Sequence, residues 1–308
     1  MNKITVCPED DLQQIFNKIS SPAEIYLKNG VYNQKLLLER SDVTLKGESR
    51  EGVILTNDDF ANKIHADGRI YQTFRTYTLC VTGENVRLEN LTVENRADPS
   101  GGQCVALSVI AKKFFAENAD FKSHQDTVFL APFPKDPIIK DSELVPSAML
   151  NMREYDSHIF RNCRIYGTVD FIFGCAEAYF DGCEIISLES KNGGYLAAPA
   201  HPLEQKFGFS FLNCKLIDGG AKRGVFLARP WRDFGACAFI NCVADGHLSE
   251  KLFNKWNDSD RDKTARFSFF NLKGFHGNPE PWSKELTREE ANKIISRYNE
   301  KLSEFSLR

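Results

Sequence analysis

Residues 160–183 have the sequence FRNCRIYGTVDFIFGCAEAYFDGC, and both ends show the same pattern of an aromatic residue, a spacer, Asn or Gly, and a cysteine. Between them lies GTVDFIFG, residues 167–174, where two glycines bracket β-branched and aromatic residues and predict a short strand between tight turns. Asp170 interrupts this apolar run, where an unpaired carboxylate is costly to desolvate. We therefore expect a cation or hydrogen-bond donors to meet Asp170, which makes it a candidate functional residue; a turn-capping role is the alternative.

The four-residue pattern recurs at intervals of 20 to 44 residues. Its copies begin at Leu88, Ala116, Phe160, Phe180, Phe211 and Phe239. Irregular spacing with a constant core element is typical of the stacked coils of a solenoid, because the loops between coils vary freely. We predict an all-β fold, a right-handed parallel β-helix, with the Asn at a bend and the Cys or Ala pointing inward. A β-sandwich is the competing fold, but Asn-Gly and Asp-Gly hairpin turns are few.

Helices are predicted near the two ends of the chain. Apolar residues at helical spacing predict a short cap helix that starts the protein, over about residues 9–19. A capping box at Thr287 and Glu290 predicts a second helix over about residues 287–304, which would pack along the solenoid and cover exposed strand edges. The whole chain, 1–308, is predicted to be one domain.

Composition and charge narrow the functional classes. The chain is 42% apolar and 26% charged, with a formal net charge of −3 and its charges scattered singly. This pattern disfavours a nucleic-acid partner and a polybasic membrane patch. There is no long apolar run and no apolar secretory signal, so we expect a cytoplasmic protein without membrane contact. Helical caps at both ends favour a monomer.

The nine cysteines show no C-x-x-C pair and no His/Cys cluster with metal-ligand spacing. We expect no metal and no cofactor, and we interpret the cysteines as free thiols that act as small apolar residues. Disulfides between coils, such as Cys163 with Cys183, are the less favoured alternative.

Four segments place polar residues at or beside apolar strands. They contain Gln103; Gln125 and Asp126; Asp170; and Arg229. Consecutive coils of a parallel solenoid align at about 4.8 Å, so these residues can form one cluster. Of two neighbouring carboxylates, one tends to stay protonated while an arginine holds the other charged, and glutamine N–H groups suit an oxyanion. The cluster suits acyl transfer, although paired carboxylates also suit a glycosidase.

These segments resemble the characteristic motifs of the pectin methylesterase family. The motifs are GTVDFIFG, Gln125-Asp126-Thr127, Gln103-x-Val105-Ala106-Leu107 and Arg229-Pro230-Trp231. The resemblance implies a right-handed parallel β-helix that hydrolyses the methyl esters of galacturonates without a metal and releases methanol.

The resemblance also implies a role for each residue of the cluster. Asp170 would be the nucleophile and Asp126 the general acid and then the base. Gln103 and Gln125 would hold the oxyanion, and Arg229 would orient Asp170. The implied substrate-binding residues are Trp231, Phe173, Val169 and Thr78. Core positions are the alternative for Phe173 and Thr78.

The chain departs from the family pattern between Asp126 and Asp170. A proline-containing insertion, residues 131–155, is predicted to be a loop beside the cleft. Together with the expected cytoplasmic location, it suggests an enzyme that trims short intracellular methylated oligogalacturonides. Two alternatives stay open: an esterase or thioesterase with the same site and a different acyl group, and a non-catalytic carbohydrate-binding β-helix.

Overall fold

The computed structural model describes residues 2–134, 157–190, 193–222 and 224–306. Over these residues the strands are β1 (Asn2–Val6), β2 (Ala23–Leu27), β3 (Gly30–Asn33), β4 (Leu36–Leu38), β5 (Val43–Gly47), β6 (Val53–Asn57), β7 (Leu79–Val81), β8 (Val86–Glu89), β9 (Thr92–Asn95), β10 (Leu107–Val109), β11 (Phe114–Glu117), β12 (Asp120–Lys122), β13 (Val128–Leu130), β14 (Ser157–Arg161), β15 (Arg164–Gly167), β16 (Ile172–Gly174), β17 (Glu177–Asp181), β18 (Glu184–Leu188), β19 (Gly194–Pro199), β20 (Phe209–Leu212), β21 (Lys215–Gly219), β22 (Val225–Ala228), β23 (Ala236–Ile240), β24 (Val243–Ala244), β25 (Arg266–Phe270) and β26 (Lys284–Glu285). The helices are α1 (Leu12–Lys18) and α2 (Arg288–Ser306), with short 3-10 turns at Thr73–Arg75, Pro99–Gly101 and Arg261–Lys263.

The strands form three parallel sheets around one core. The 11-stranded sheet has the order β1-β2-β5-β8-β11-β14-β17-β20-β23-β25-β26, the 8-stranded sheet β24-β21-β18-β15-β12-β9-β6-β3, and the 7-stranded sheet β22-β19-β16-β13-β10-β7-β4. From β5 to β23, neighbours in the 11-stranded sheet are every third strand of the chain, so each coil contributes one strand to each sheet. This arrangement is a parallel β-helix, as the recurring pattern predicts.

The asparagines of the pattern form a ladder at one bend of the coils. Asn90, Asn118, Asn162, Asn213 and Asn241 all have φ between 50° and 55°. Asparagine tolerates this left-handed conformation better than other side chains with a Cβ atom. The amide nitrogen of Asn118 donates to Asn90 Oδ1 at 2.7 Å, one coil away. The predicted place of the asparagines, and their bonding from coil to coil, are confirmed.

The aromatic and thiol positions of the pattern point inward and stack. The rings of Phe160, Phe180, Phe211 and Phe239 follow one another with centroids 4.9, 4.6 and 4.3 Å apart. Cys163, Cys183, Cys214 and Cys242 are buried free thiols. Each of the four thiols donates to a backbone carbonyl of the preceding coil at 3.2 to 3.6 Å. The inward thiols are confirmed, and the alternative disulfide between Cys163 and Cys183 is wrong.

The N-terminal end differs from the prediction in one respect. The chain does not start with a helix: β1 precedes α1 and pairs with β2. The helix begins after Asp11, whose side chain accepts a hydrogen bond from the backbone N–H of Gln14 at 2.8 Å. Leu12 and Phe16 of α1 are buried in the main core.

The C-terminal helix α2 has the predicted capping box, since the backbone N–H of Thr287 donates to Glu290 at 3.0 Å and that of Glu290 donates to Thr287 at 3.3 Å. The helix packs along the solenoid as predicted, but it covers the outer face of the 11-stranded sheet and not strand edges. Its apolar stripe packs there because outward residues such as Phe115, Ile159 and Tyr179 make that face apolar.

Within the described part of the chain, no helix is long and apolar enough to cross a membrane. Of the predicted insertion 131–155, residues 135–155 lie outside the described residues.

Candidate active site

Asp170 lies in a bend between two strands. β15 ends at Gly167 and β16 begins at Ile172, so the prediction of one strand through GTVDFIFG is wrong. Asp170 has φ of 52°, a left-handed conformation that is incompatible with a strand. Gly167 is required at the start of the bend, because a Cβ atom there would lie 2.2 Å from Cβ of Phe171. The bend turns Asp170 away from the core, although the residue is only 5% exposed.

Asp126 occupies the equivalent position on the preceding coil. It lies two residues before Val128, Asp170 lies two residues before Ile172, and Val128 and Ile172 are partners in the parallel register. Asp126 has the same left-handed conformation, with φ of 64°, and is 9% exposed. Its backbone N–H donates to the carbonyl of Val169 at 3.1 Å. The solenoid therefore brings the two predicted carboxylates together.

Arg229 provides the predicted cation. It follows β22, which lies two coils beyond Asp170, because β16 pairs with β19 and β19 pairs with β22. Its Nε donates to Oδ1 of Asp170 at 2.8 Å and a terminal nitrogen donates to Oδ2 at 2.6 Å. This is a bidentate charge-assisted pair, the strongest geometry for holding a carboxylate in one orientation.

The two aspartates differ in their electrostatic environment. Burial raises the pKa of Asp170, and the hydrogen bonds and charge of Arg229 oppose that rise. Burial raises the pKa of Asp126 well above its usual range; the charge of Asp170 adds to the rise and the charge of Arg229 opposes it. Arg229 donates no hydrogen bond to Asp126 that would offset its burial. Of the two carboxyls, Asp170 is therefore the one that ionises at the lower pH, and Asp126 keeps its proton to a higher pH.

Gln103 and Gln125 precede the apolar strands on neighbouring coils. The carbonyl of Gln125 accepts from the N–H of Cys104 at 3.1 Å, and that of Gln103 accepts from the N–H of Ala61 at 2.8 Å. These hydrogen bonds fix the two backbones, and both residues are only partly buried. Their role as oxyanion donors stays a prediction.

The predicted substrate-binding residues fall into two groups. Trp231 and Val169 are partly buried at the site, and their roles stay predictions. Phe173 is 3% exposed and packs within an aromatic cluster, which favours its core alternative. Thr78 is fully buried, and its hydroxyl donates to the carbonyl of Glu94 at 2.8 Å. This burial favours the core alternative for Thr78, and its contact with substrate stays a prediction.

Two aromatic residues without a predicted role contact the cation of the site. The Arg229 guanidinium carbon lies 4.1 Å from the ring centroid of Tyr195 and 4.4 Å from that of Trp256. Both residues are distant from Arg229 in the chain, and the sequence carries no signal that pairs them with it.

No group of three or more His, Cys, Asp or Glu side chains within the described ranges is arranged to hold a metal ion.

The pectinesterase family model matches residues 5–133 and 152–281. Pectinesterase 31 of Arabidopsis thaliana is 28% identical over 281 residues, which cover 88% of this chain and 80% of that protein. Pectinesterase A of Dickeya dadantii is 29% identical over 277 residues, which cover 82% and 72%.

The fold also matches solved structures. Pectin methylesterase from carrot has a TM-score of 0.80 at 18% identity, covering 95% of this chain and 90% of that one. Pectin methylesterase from Erwinia chrysanthemi has a TM-score of 0.78 at 23% identity, covering 95% of both chains. The likeness confirms the predicted right-handed parallel β-helix.

The raised pKa of Asp126 predicts that Asp126→Asn stabilises the fold at neutral pH. A carboxyl whose pKa is raised by folding contributes stability below its unfolded pKa of about 3.9 and loses it as pH rises through the folded pKa. Asparagine tolerates the left-handed backbone and carries no charge to desolvate. We expect the free energy of unfolding of the variant to exceed that of wild type by about 1–2 kcal/mol at pH 7. Near pH 4 the difference should be smaller.

Urea unfolding at the two pH values measures this difference, with the exposed Asp258→Asn as the matched control. A gain that does not depend on pH, or a loss of stability at pH 7, would contradict the assignment of the proton to Asp126.

Proposed function

The chain belongs to the pectinesterase family, and we propose that it is an esterase that hydrolyses the methyl esters of methylated galacturonates and releases methanol. The observation that carries the proposal is the bidentate pair of Arg229 with Asp170, on the coil next to a second buried carboxyl at Asp126. A carboxylate acts as a nucleophile when it is ionised and held in one orientation, and a methoxide leaving group needs a proton. The two aspartates supply one each.

In the first half of the reaction, the ionised Asp170 attacks the ester carbonyl carbon and forms a new C–O bond. The carbonyl electron pair moves to oxygen, and the amide N–H groups of Gln103 and Gln125 stabilise that oxyanion. When the tetrahedral intermediate collapses, the bond to methoxide breaks and Asp126 donates its proton. Methanol leaves, and the galacturonate acyl group remains bound to Asp170 as an anhydride.

In the second half, Asp126 has become a carboxylate and acts as the base. It takes a proton from water, and the hydroxide attacks the acyl carbon of the anhydride. Collapse of this second intermediate breaks the bond to Asp170. The products are a galacturonic acid unit and the original pair, an ionised Asp170 and a protonated Asp126. The new carboxylic acid then loses its proton to solvent and becomes a galacturonate.

We propose that the preferred substrate is a short oligogalacturonide. The outward positions of the 7-stranded sheet form one row next to the site, and that row includes Cys80, Ser108, Phe129 and Phe173. Cys80, Ser108 and Phe129 are fully buried although they face away from the main core. This face of the sheet is therefore covered on the side of the earlier coils.

Aromatic rings form that cover. The ring of Phe74, from the 3-10 turn Thr73–Arg75, lies 4.9 Å from Phe129 and 4.6 Å from Phe133. On the side of the later coils, the partly buried Trp231 lies 5.8 Å from Phe173. We infer that a galacturonate chain with its ester at Asp170 extends mainly past Trp231, which favours short chains and chain ends over the interior of a polymer.

We also propose that the enzyme acts in a reducing, intracellular compartment. All nine cysteines are free, and four of them donate from coil to coil inside the core. Reducing compartments preserve such thiols. Fractionation of the source cells with an antibody to the protein checks this location, and recovery in the culture medium would contradict it.

The function is tested by methanol release from methylated trigalacturonate by wild type, Asp170→Ala and Asp126→Asn. We expect wild-type turnover and a loss of at least about 10³-fold in both variants, because each removes a group that reacts directly. Arg229→Lys keeps the charge but loses the bidentate fork, and we expect an intermediate loss.

Two outcomes would redirect the proposal. A wild type that releases no methanol but cleaves another ester or thioester would identify a different acyl group. New reducing ends without methanol would identify a glycosidase.

Substrate length is tested by Phe74→Ala, which removes a ring from the cover. We expect wild type to prefer the trimer to highly methylated pectin, and the variant to raise the ratio of polymer to trimer kcat/KM by about tenfold. Phe207→Ala is the matched control, since Phe207 packs near Arg297 of helix α2. A wild-type preference for polymer, or an unchanged ratio in Phe74→Ala, would count against the short-substrate proposal.

A further inference from the structure

The guanidinium group of Arg229 is held by aromatic rings as well as by Asp170. Its central carbon lies 4.1 Å from the Tyr195 centroid and 4.4 Å from the Trp256 centroid, and only 16% of the side chain is exposed. Contacts this short are favourable cation–π geometry, and they are stronger where water is largely excluded. The two rings therefore restrict how the guanidinium can turn.

Tyr195 is itself fixed on both sides. It lies on β19 and its ring stacks on Phe226 of β22, with centroids 5.3 Å apart and an interplanar angle of 14°. The hydroxyl of Tyr195 accepts a hydrogen bond from the amide nitrogen of Asn254 at 3.0 Å. The ring thus presents a fixed surface to Arg229.

Trp256 reaches the site because its segment continues the solenoid beyond β22. The N–H of Leu227 donates to the carbonyl of Leu252 at 2.7 Å, and the N–H of Asn254 donates to that of Ala228 at 3.1 Å. Arg261 lies over the ring of Trp256 at 5.8 Å. This short added pairing places the Asn254 amide at the Tyr195 hydroxyl and the Trp256 ring at Arg229.

The orientation of the guanidinium matters because its fork is planar. Two parallel N–H bonds to one carboxylate form only when the plane and the fork direction match those of the carboxylate. A guanidinium that turns about its last torsions keeps its charge near Asp170 but loses one or both hydrogen bonds. The other titratable groups that act on the pair are Asp126 and the Tyr195 phenol.

We infer that Tyr195 and Trp256 are positioning residues that hold the Arg229 guanidinium in the one orientation from which it donates both hydrogen bonds to Asp170. The inference rests on the proposed function. In it, the two rings hold Arg229, the partner of the nucleophile, and do not bind the sugar.

Trp256→Leu and Tyr195→Leu test the inference. We expect each variant to lower kcat for methanol release about tenfold with little change in KM. The acid limb of the pH profile of kcat/KM should move to higher pH, because a loosened Arg229 no longer opposes the effect of burial on Asp170. Trp256→Phe, which keeps a ring, should restore most of the activity and the position of the acid limb.

The matched control is Trp282→Leu, which removes an equally large ring that packs on Phe253 and Phe267, away from Arg229. We expect it to lower Tm without moving the acid limb. If Trp256→Leu and Tyr195→Leu raise KM and leave the acid limb in place, the rings bind sugar and the inference is overturned. If they lower only Tm, the rings are structural and the inference is likewise overturned.

A second readout needs no substrate. Nitrogen-15 NMR reports whether the terminal N–H groups of Arg229 rotate slowly, as they do in a held fork. We expect resolved signals in wild type and Trp256→Phe, and averaged signals in Trp256→Leu. Resolved signals in Trp256→Leu would overturn the inference. If wild type releases no methanol, the proposed function fails, and these spectra still decide the positioning role.

Discussion

The site depends on the parallel register of the coils. Asp126 and Asp170 lie two residues before paired positions of β13 and β16, and Arg229 follows the pairing of β22 with β19. Strands in such a sheet are about 4.8 Å apart, so residues distant in the chain become neighbours at a spacing that the backbone fixes. The Arg229–Asp170 pair is a product of this register, and a coil shifted by one residue would separate it.

The same register gives the chemically identical side chains of Asp126 and Asp170 different electrostatic environments. Both aspartates are buried in left-handed bends, but only Asp170 receives the fork of Arg229. One carboxyl can therefore serve as an anion while its neighbour keeps a proton. Tyr195 and Trp256 hold that fork, and the cover of Phe74, Phe129 and Phe133 closes one side of the site. In the function proposed here, the Arg229–Asp170 pair determines the chemistry, and the aromatic cover limits the length of the substrate.

Much of the fold and the site could be predicted from the sequence. The asparagine pattern predicts the bends because few residues accept φ near 50°. The free-energy cost of burying the Asp170 carboxylate predicts that a cation lies beside it. Other features depend on tertiary contacts. GTVDFIFG has a strand's composition, and the left-handed bend at Asp170 shows only in the folded chain.

The interactions that sequence reasoning missed join distant segments. Tyr195 and Trp256 meet at Arg229 only because residues 252–254 add a further pairing beside β22. Helix α2 covers a sheet face and not strand edges, because the outward residues of the 11-stranded sheet are themselves apolar. Amphipathicity predicts that the helix packs on the solenoid, but the matching surface decides where it packs.

The proposed mechanism depends on Asp170 being the anion and Asp126 being the acid. Carbon-13 NMR of the two carboxyl groups in the wild-type protein, titrated from acid to neutral pH, tests it most directly. We expect Asp170 to lose its proton first and Asp126 to titrate at a clearly higher pH, with the two steps coupled. Loss of the first proton from Asp126, with Asp170 protonated beside Arg229, would contradict it.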